Sequence, residues 1–387
     1  MKAEVDEAAK RAEAAAATTP EQAFTRVYAR PLRAIPRVPE GMGDPPVAVE
    51  PEPPMPDATT ERTVVDAVRQ TIHDLMAADE RVIVLGEDVG PRGGVFRATD
   101  GLHAEFGDDR VIDTPLAESS IVGVAIGHAL AGLLPIAEIQ FADFIHSAFD
   151  QLVSEAAKIH YRSNGDFHVP MVVRAPWGGG VHGALYHSQS IEAFYAHIAG
   201  LKVVAPSTPA DVAGLLREAL DDPDPVLFLE HKKTYRLIKG PVPDDPSWRV
   251  PIGVAAIARP GDDLTIVTYG LHRHLAVEAA EALAADGGPS VEVVDLRTIA
   301  PLDRDTVLAS VAKTGRVLVV HEDNVSFGVG AEVAALVAEE AFYDLDAPVR
   351  RLAMPDVPAM PFAGPMEGAV QIGVDEIVSA AKALCAE

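Results

Sequence analysis

Cysteine is almost missing. One residue, Cys385, in a chain of 387 excludes an internal disulfide and any thiolate metal cluster, and it suits a reducing compartment. Positive charge is scarce as well: 32 Lys and Arg face 58 Asp and Glu, for a formal net charge of −26. That excess repels nucleic acid and anionic membrane, and it keeps copies of the chain apart unless a specific interface joins them. No apolar run reaches membrane length. Residues 119–137 are uncharged, but a span needs about 20 apolar residues, and His128 and Pro135 interrupt this stretch. It reads as a buried helix whose Gly123 and Gly127 admit another helix backbone. Common catalytic signatures are lacking too. The G-x-G-x-x-G spacing of GGGVHG (178–183) opens a glycine-rich loop with no helical pattern behind it, and Gly328-Val329-Gly330 has no third glycine. There is no G-x-x-x-x-G-K and no G-x-S-x-G, and His321-Glu322 has no histidine at position 325. Readings as a dinucleotide dehydrogenase, an ATPase, a serine hydrolase or a zinc protease weaken together.

What is present is a globular composition, 48% hydrophobic and 23% charged, long enough for two cored domains. Residues 1–58 stand apart. An Ala/Glu/Lys-rich start leads into PRVPEGMGDPPVAVEPEPPMPDA, where proline fixes φ and removes donors, so an extended arm is expected. Arginines at 26, 30, 33 and 37 hint at a transit peptide, but Glu4, Asp6, Glu7, Glu13 and Glu21 spoil that composition.

From Thr63 helical and strand patterns alternate. TVVDAVRQTIHDLMAAD is a helix and RVIVLGED a strand; a helix near 119–133 precedes strand LPIAEIQF. FIHSAFDQLVSEAAKIHYRS predicts a helix, PMVVRAPW and GLKVVAP strands, TPADVAGLLREALD a helix and PVLFLEH a strand. A loop-rich connector over 237–260 leads to a second, smaller unit with strands DLTIVTYG, SVEVVDL and RVLVVHE among helices near 272–285, 303–313 and 329–341. The expected fold class is α/β: two parallel-sheet α/β domains, one over 59–236 and one over 261–387, with helices on both sheet faces.

Chemistry concentrates in loops after strands, where open α/β sheets place ligands. These loops are LGEDVG (85–90), TPLAES (114–119), QFADF (140–144), APWGGGVHGALYHSQS (175–190) and VVHEDN (319–324). In the glycine-rich loop, His182 and His187 are either site residues or structural. Glu118 is a lone carboxylate against the uncharged run. Apolar neighbours there would favour its protonated form, and a charge meeting a helix N-terminus is the structural alternative.

IAEIQFADF, DQLVSEAAK, YRS, APWGGGVHGALYHSQS and DLRTIAPLD closely resemble the beta subunit of the thiamine-diphosphate-dependent 2-oxo acid dehydrogenase first component, over roughly residues 60–387. GALYHSQS followed by AFYAHIAGLKVVAP is most similar to the branched-chain member. The resemblance implies a transketolase-like pyrimidine-binding domain plus a transketolase C-terminal domain. It implies that Glu118 contacts N1′ of the cofactor's aminopyrimidine and favours the imino tautomer that deprotonates the thiazolium. Phe144 matches the aromatic packed on the pyrimidine, where the branched-chain pattern often has tyrosine. Leu116 and Gln140 line the same pocket, and His187 lies near substrate and lipoyl group. A potassium ion is implied at Val169, Met171, Val172, Asp222 and Asp224, with Asp224 where asparagine is common.

One absence belongs with these matches. The family anchors magnesium and diphosphate through G-D-G with a downstream asparagine, and the nearest stretches here, Gly107-Asp108-Asp109 and Gly165-Asp166-Phe167, do not fit. The resemblance therefore implies a cofactor shared with an alpha subunit that holds Mg2+, in a heterotetramer of two alpha and two beta chains. It also implies a lipoyl-bearing dihydrolipoyl acyltransferase partner and a bacterial cytoplasmic setting in preference to a mitochondrial matrix. The alternatives are a pyruvate or acetoin dehydrogenase beta subunit, or an assembly subunit without catalysis.

Overall fold

The computed structural model describes residues 1–30, 43 and 53–387. A seven-stranded sheet runs in the order Thr298–Ala300, Lys202–Val204, Val226–His231, Val172–Trp177, Leu134–Glu138, Val82–Gly86, Val111–Asp113. Its strands are parallel except Thr298–Ala300, which pairs antiparallel with Lys202–Val204. A five-stranded sheet follows the order Arg350–Met354, Val317–Asn324, Leu264–Thr268, Val291–Asp295, Ala256–Arg259, and only the last strand is antiparallel. The two α/β units form as the alternation predicts, but the sheets are mixed. Their inner strands, such as Val172–Trp177 and Val226–His231, are buried at every position, as strands covered by helices on both faces must be.

Helix starts follow local chemistry. Thr63 caps Val64–Ala78 by accepting from Asp66 N at 3.2 Å. Thr208 and Asp211 form a reciprocal capping box with Pro209 at the first turn of Pro209–Asp221. Among the described residues no helix is long and apolar enough to cross a membrane.

Three expectations need correction. The helix predicted over 144–163 is broken into a 3₁₀ stretch Ala142–Ala148, a π segment Gln151–Ala156 and a short α-helix Ala157–Arg162. The connector holds strand Lys239–Pro243, which pairs antiparallel with Thr59–Thr63, and strand Ala256–Arg259. The arm is not simply extended. Helix Lys2–Ala14 buries nothing, but residues 23–30 dock on the body: Tyr161 donates to Ala23 O at 2.9 Å, and Arg30 pairs with Glu218. The arginines at 33 and 37 lie outside the described residues.

The run 119–137 also differs from a fully buried helix. Helix Glu118–Leu130 buries Ile121, Val122, Ala125, Ile126 and Ala129, yet it exposes Val124 and Leu130 at 49% and 46%. Neither glycine admits a helix backbone: a Cβ on Gly123 would make only an ordinary 3.8 Å contact with Gln151 Cγ, and one on Gly127 meets nothing within 4 Å. Among the described residues, one face of this helix has no partner.

Candidate active site

Because the central strands run parallel, their C-terminal ends gather the predicted loops along one sheet edge. Glu118 is the first residue of helix Glu118–Leu130, with its carboxylate at the positive end of the dipole. Glu87 stands beside it: burial, then the charges of Asp88 and Glu118, push the Glu87 carboxyl upward. Gln140 Nε2 donates to Glu87 O at 3.4 Å, which places Gln140 in the same corner. The apolar enclosure expected of Glu118 is not supplied by the described residues. Glu118 is half-buried and the neighbouring Leu116 is 70% exposed.

Next to this corner three rings meet. His187 lies 4.4 Å from Phe141 and 5.6 Å from Phe144, centroid to centroid, edge-on to both. The loop is pinned just beyond His187, where Asp143 Oδ1 accepts from Ser188 N and Gln189 N, both at 3.2 Å. Burial raises the Asp143 carboxyl against the opposing charge of Lys232. Lys232 is itself buried, which pushes its ammonium down to about 8 despite Asp143 and Glu322. Its Nζ sits 5.8 Å from the Phe141 centroid. His182 diverges from this cluster: its ring pairs with Glu367 of the second unit, Nδ1 to Oε2 2.5 Å. Of the loop's two histidines, only His187 faces the aromatic corner.

Several buried polar atoms in or beside these loops have no partner among the described residues: Thr114 Oγ1, Asp143 Oδ2, Ser188 Oγ and Gln151 Oε1. Buried polar atoms without partners are costly, so they mark where a polar ligand would be satisfied. A carboxyl able to share a proton with a ring nitrogen, aromatic faces and unpartnered hydroxyls fit the aminopyrimidine end of thiamine diphosphate. Among the described residues no group of three His, Cys, Asp or Glu side chains converges as metal ligands.

The candidate potassium residues have another occupant. Lys202 Nζ bonds both oxygens of Asp222, at 2.7 and 2.6 Å, and Asp224 Oδ2 at 3.0 Å, all buried. Ala29 N donates to both Asp224 oxygens at 2.9 and 3.0 Å. At the backbone positions, Met171 O accepts from Val226 N at 3.0 Å and Val169 N donates to Pro223 O at 3.1 Å. The two carboxylates of this set, Asp222 and Asp224, are thus already paired with the Lys202 ammonium.

Glu87, Phe141 and Asp143 lie within loops that the sequence pattern marks, though the pattern does not single them out. Lys232, Glu322 and Glu367 reach the site from the next strand end and from the second unit. Nothing local in the sequence signals the last of these.

Residues 60–238 match the model of the transketolase pyrimidine-binding domain, and residues 253–377 that of the transketolase C-terminal domain. The chain is 56% identical to the 2-oxoisovalerate dehydrogenase subunit beta of Bacillus subtilis, covering 83% of this chain and 97% of that protein. It is 47% identical to the pyruvate dehydrogenase E1 component subunit beta of the same organism, covering 78% and 92%. A solved split-gene transketolase, described as an inactive beta4 tetramer, shares the fold with a TM-score of 0.67 at 24% identity, covering 84% of this chain and 98% of that one. The chain belongs to the family of 2-oxo acid dehydrogenase beta subunits, built from a transketolase pyrimidine-binding domain followed by a transketolase C-terminal domain.

Proposed function

We propose that this chain is the beta subunit of a branched-chain 2-oxo acid dehydrogenase, decarboxylating a 2-oxo acid and transferring the acyl group to lipoamide together with an alpha subunit. The observation that carries the reading is the single corner where Glu118, Glu87, Gln140 and the Phe141, Phe144 and His187 rings gather, one wall short of closure at Leu116. Thiamine diphosphate supplies the electron sink for the decarboxylation when bound. Glu118 holds or releases a proton at the N1′ position of its aminopyrimidine, Phe144 offers a ring face, and Leu116 and Gln140 line the pocket. His187 holds or delivers a proton on the substrate and lipoyl side, as an imidazole can near neutral pH.

Magnesium and the diphosphate fall to the alpha chain, which the missing G-D-G motif supports. A heterotetramer of two alpha and two beta chains would cover Leu116 and the open face of helix Glu118–Leu130, and a lipoyl-bearing acyltransferase would take up the acyl group. The chain divides on this reading into an arm 1–58, a pyrimidine-binding unit 59–236, a connector 237–260 and a C-terminal unit 261–387, in a bacterial cytoplasm. No step runs through potassium, because Lys202 already neutralises Asp222 and Asp224. Identities of 56% and 47% to the two beta subunits of one organism favour the branched-chain substrate over pyruvate. Glu118 and His187, both retained, argue against an assembly subunit without catalysis.

The test is to assemble the chain with an alpha partner and compare kcat/KM for 2-oxoisovalerate, 2-oxoisocaproate and pyruvate. A preference of about tenfold or more for the branched acids is expected. Higher specificity for pyruvate would overturn the substrate assignment, and no thiamine-dependent turnover with any of the three would overturn the enzyme.

A further inference from the structure

We propose that Glu367, on the short helix Gly364–Val370 of the C-terminal unit, is a positioning residue for His187, acting by clamping the glycine-rich loop of the first unit. The proposal rests on the role given to His187 above. Glu367 is 2% exposed although its neighbour Met366 is 61% exposed, so this one side chain is directed inward. Its carboxylate gathers three donors from the loop: Gly180 N at 3.0 Å, His182 N at 3.4 Å and His182 Nδ1 at 2.5 Å. A second carboxylate of the same unit, Glu322, accepts from Gly179 N and pairs with His231 Nε2 at 2.8 Å.

The loop needs such a clamp. Gly178 and Gly180 have φ of 85° and 77°, but His182 and Ala184 also sit at 56°, where a side chain costs of order 1–3 kcal/mol. Strain of this kind persists only where the surroundings over-determine the backbone. The clamped stretch then leads directly to His187. A Cβ on Gly183 would lie 2.7 Å from His187 Cβ, and His187 N donates to Ala184 O at 3.3 Å. Asp143 holds Ser188 and Gln189 on the far side. His187 is therefore suspended between one pin in each unit, and its ring position against Phe141 and Phe144 depends on both.

The experiment uses the assembled alpha–beta enzyme with Glu367→Gln, Glu367→Asp, His187→Ala and the double variant Glu367→Gln/His187→Ala. An amide keeps one acceptor but turns an NH2 towards the loop's own N–H groups. Amide exchange across 178–187 should quicken in Glu367→Gln, and acyl transfer to a lipoyl domain should slow by about tenfold to hundredfold. Thiamine diphosphate affinity should be unchanged. The double variant should transfer no more slowly than His187→Ala alone, because both changes remove one function. Glu367→Asp, which keeps the charge, should recover part of the rate. Losses that multiply in the double variant, unchanged exchange in Glu367→Gln, or an Asp variant no better than Gln would each overturn the clamp. Normal transfer by His187→Ala would instead sink the role of His187, and amide exchange would still judge the clamp separately.

Discussion

Glu118 owes its position to a helix start and its opportunity to a missing wall. The side chain opens helix Glu118–Leu130 beside Glu87, while Leu116 stands 70% exposed next to it. Glu118→Gln keeps the shape and removes the exchangeable proton. The alpha–beta complex should assemble normally and lose roughly 10²–10⁴-fold in turnover; near wild-type turnover at saturating cofactor would contradict the assignment. Lys232 gives a test by pH. Burial lowers its ammonium to about 8 from the ordinary 10.5. Below pH 8 both native and unfolded chains hold the proton and the burial penalty is at its full size. Between pH 8 and 10.5 only the unfolded chain holds it, so rising pH stabilises the native state. Wild type should gain on Lys232→Met by about 3 kcal/mol over that window. Denaturant titrations at pH 7.5 and 10.5 measure the gain, and a difference that does not change with pH would refute it.

At the scale of elements, legibility followed the range of the forces involved. Strands such as PMVVRAPW are apolar but for Arg174, which pairs with buried Glu138 and Glu230, because helices cover both faces, so composition marks them. Strand Thr59–Thr63, TTERT, is polar and exists through its antiparallel pairing with Lys239–Pro243, nearly two hundred residues away, which no local pattern shows. The 144–163 segment has helical spacing, but spacing does not separate α from 3₁₀ or π turns, and the π segment sits beneath helix Glu118–Leu130 where Gln151 meets Gly123. Proline made the arm read as extended. Its docking residues, with Ala29 N and Arg30 N on Asp224 and Tyr28 over Lys202, depend on partners that come together only in the fold. Removing residues 1–19 should leave the melting temperature of the complex unchanged, since helix Lys2–Ala14 buries nothing. Removing residues 1–30 should lower it by about 5 °C by taking donors from buried Asp224. Equal melting temperatures for the two truncations would show that the docking contacts contribute nothing.

For the whole molecule, a net charge of −26 and an active-site edge that is open at Leu116 and along one helix face belong together. Self-repulsion disfavours closing the edge with a second copy, and on the proposed reading an alpha chain closes it instead. The sequence carried this only as an absence, the lack of G-D-G, read against the family resemblance. It could not display the two inter-unit carboxylates, because Glu322 and Glu367 meet the glycine-rich loop only after both units have folded. The central claim is that half of the cofactor site lies in another polypeptide. Calorimetry of thiamine diphosphate with Mg2+ against this chain alone, the alpha chain alone and their mixture tests it most directly. The account predicts tight, magnesium-dependent binding only in the mixture; tight, magnesium-dependent binding by this chain alone would contradict it.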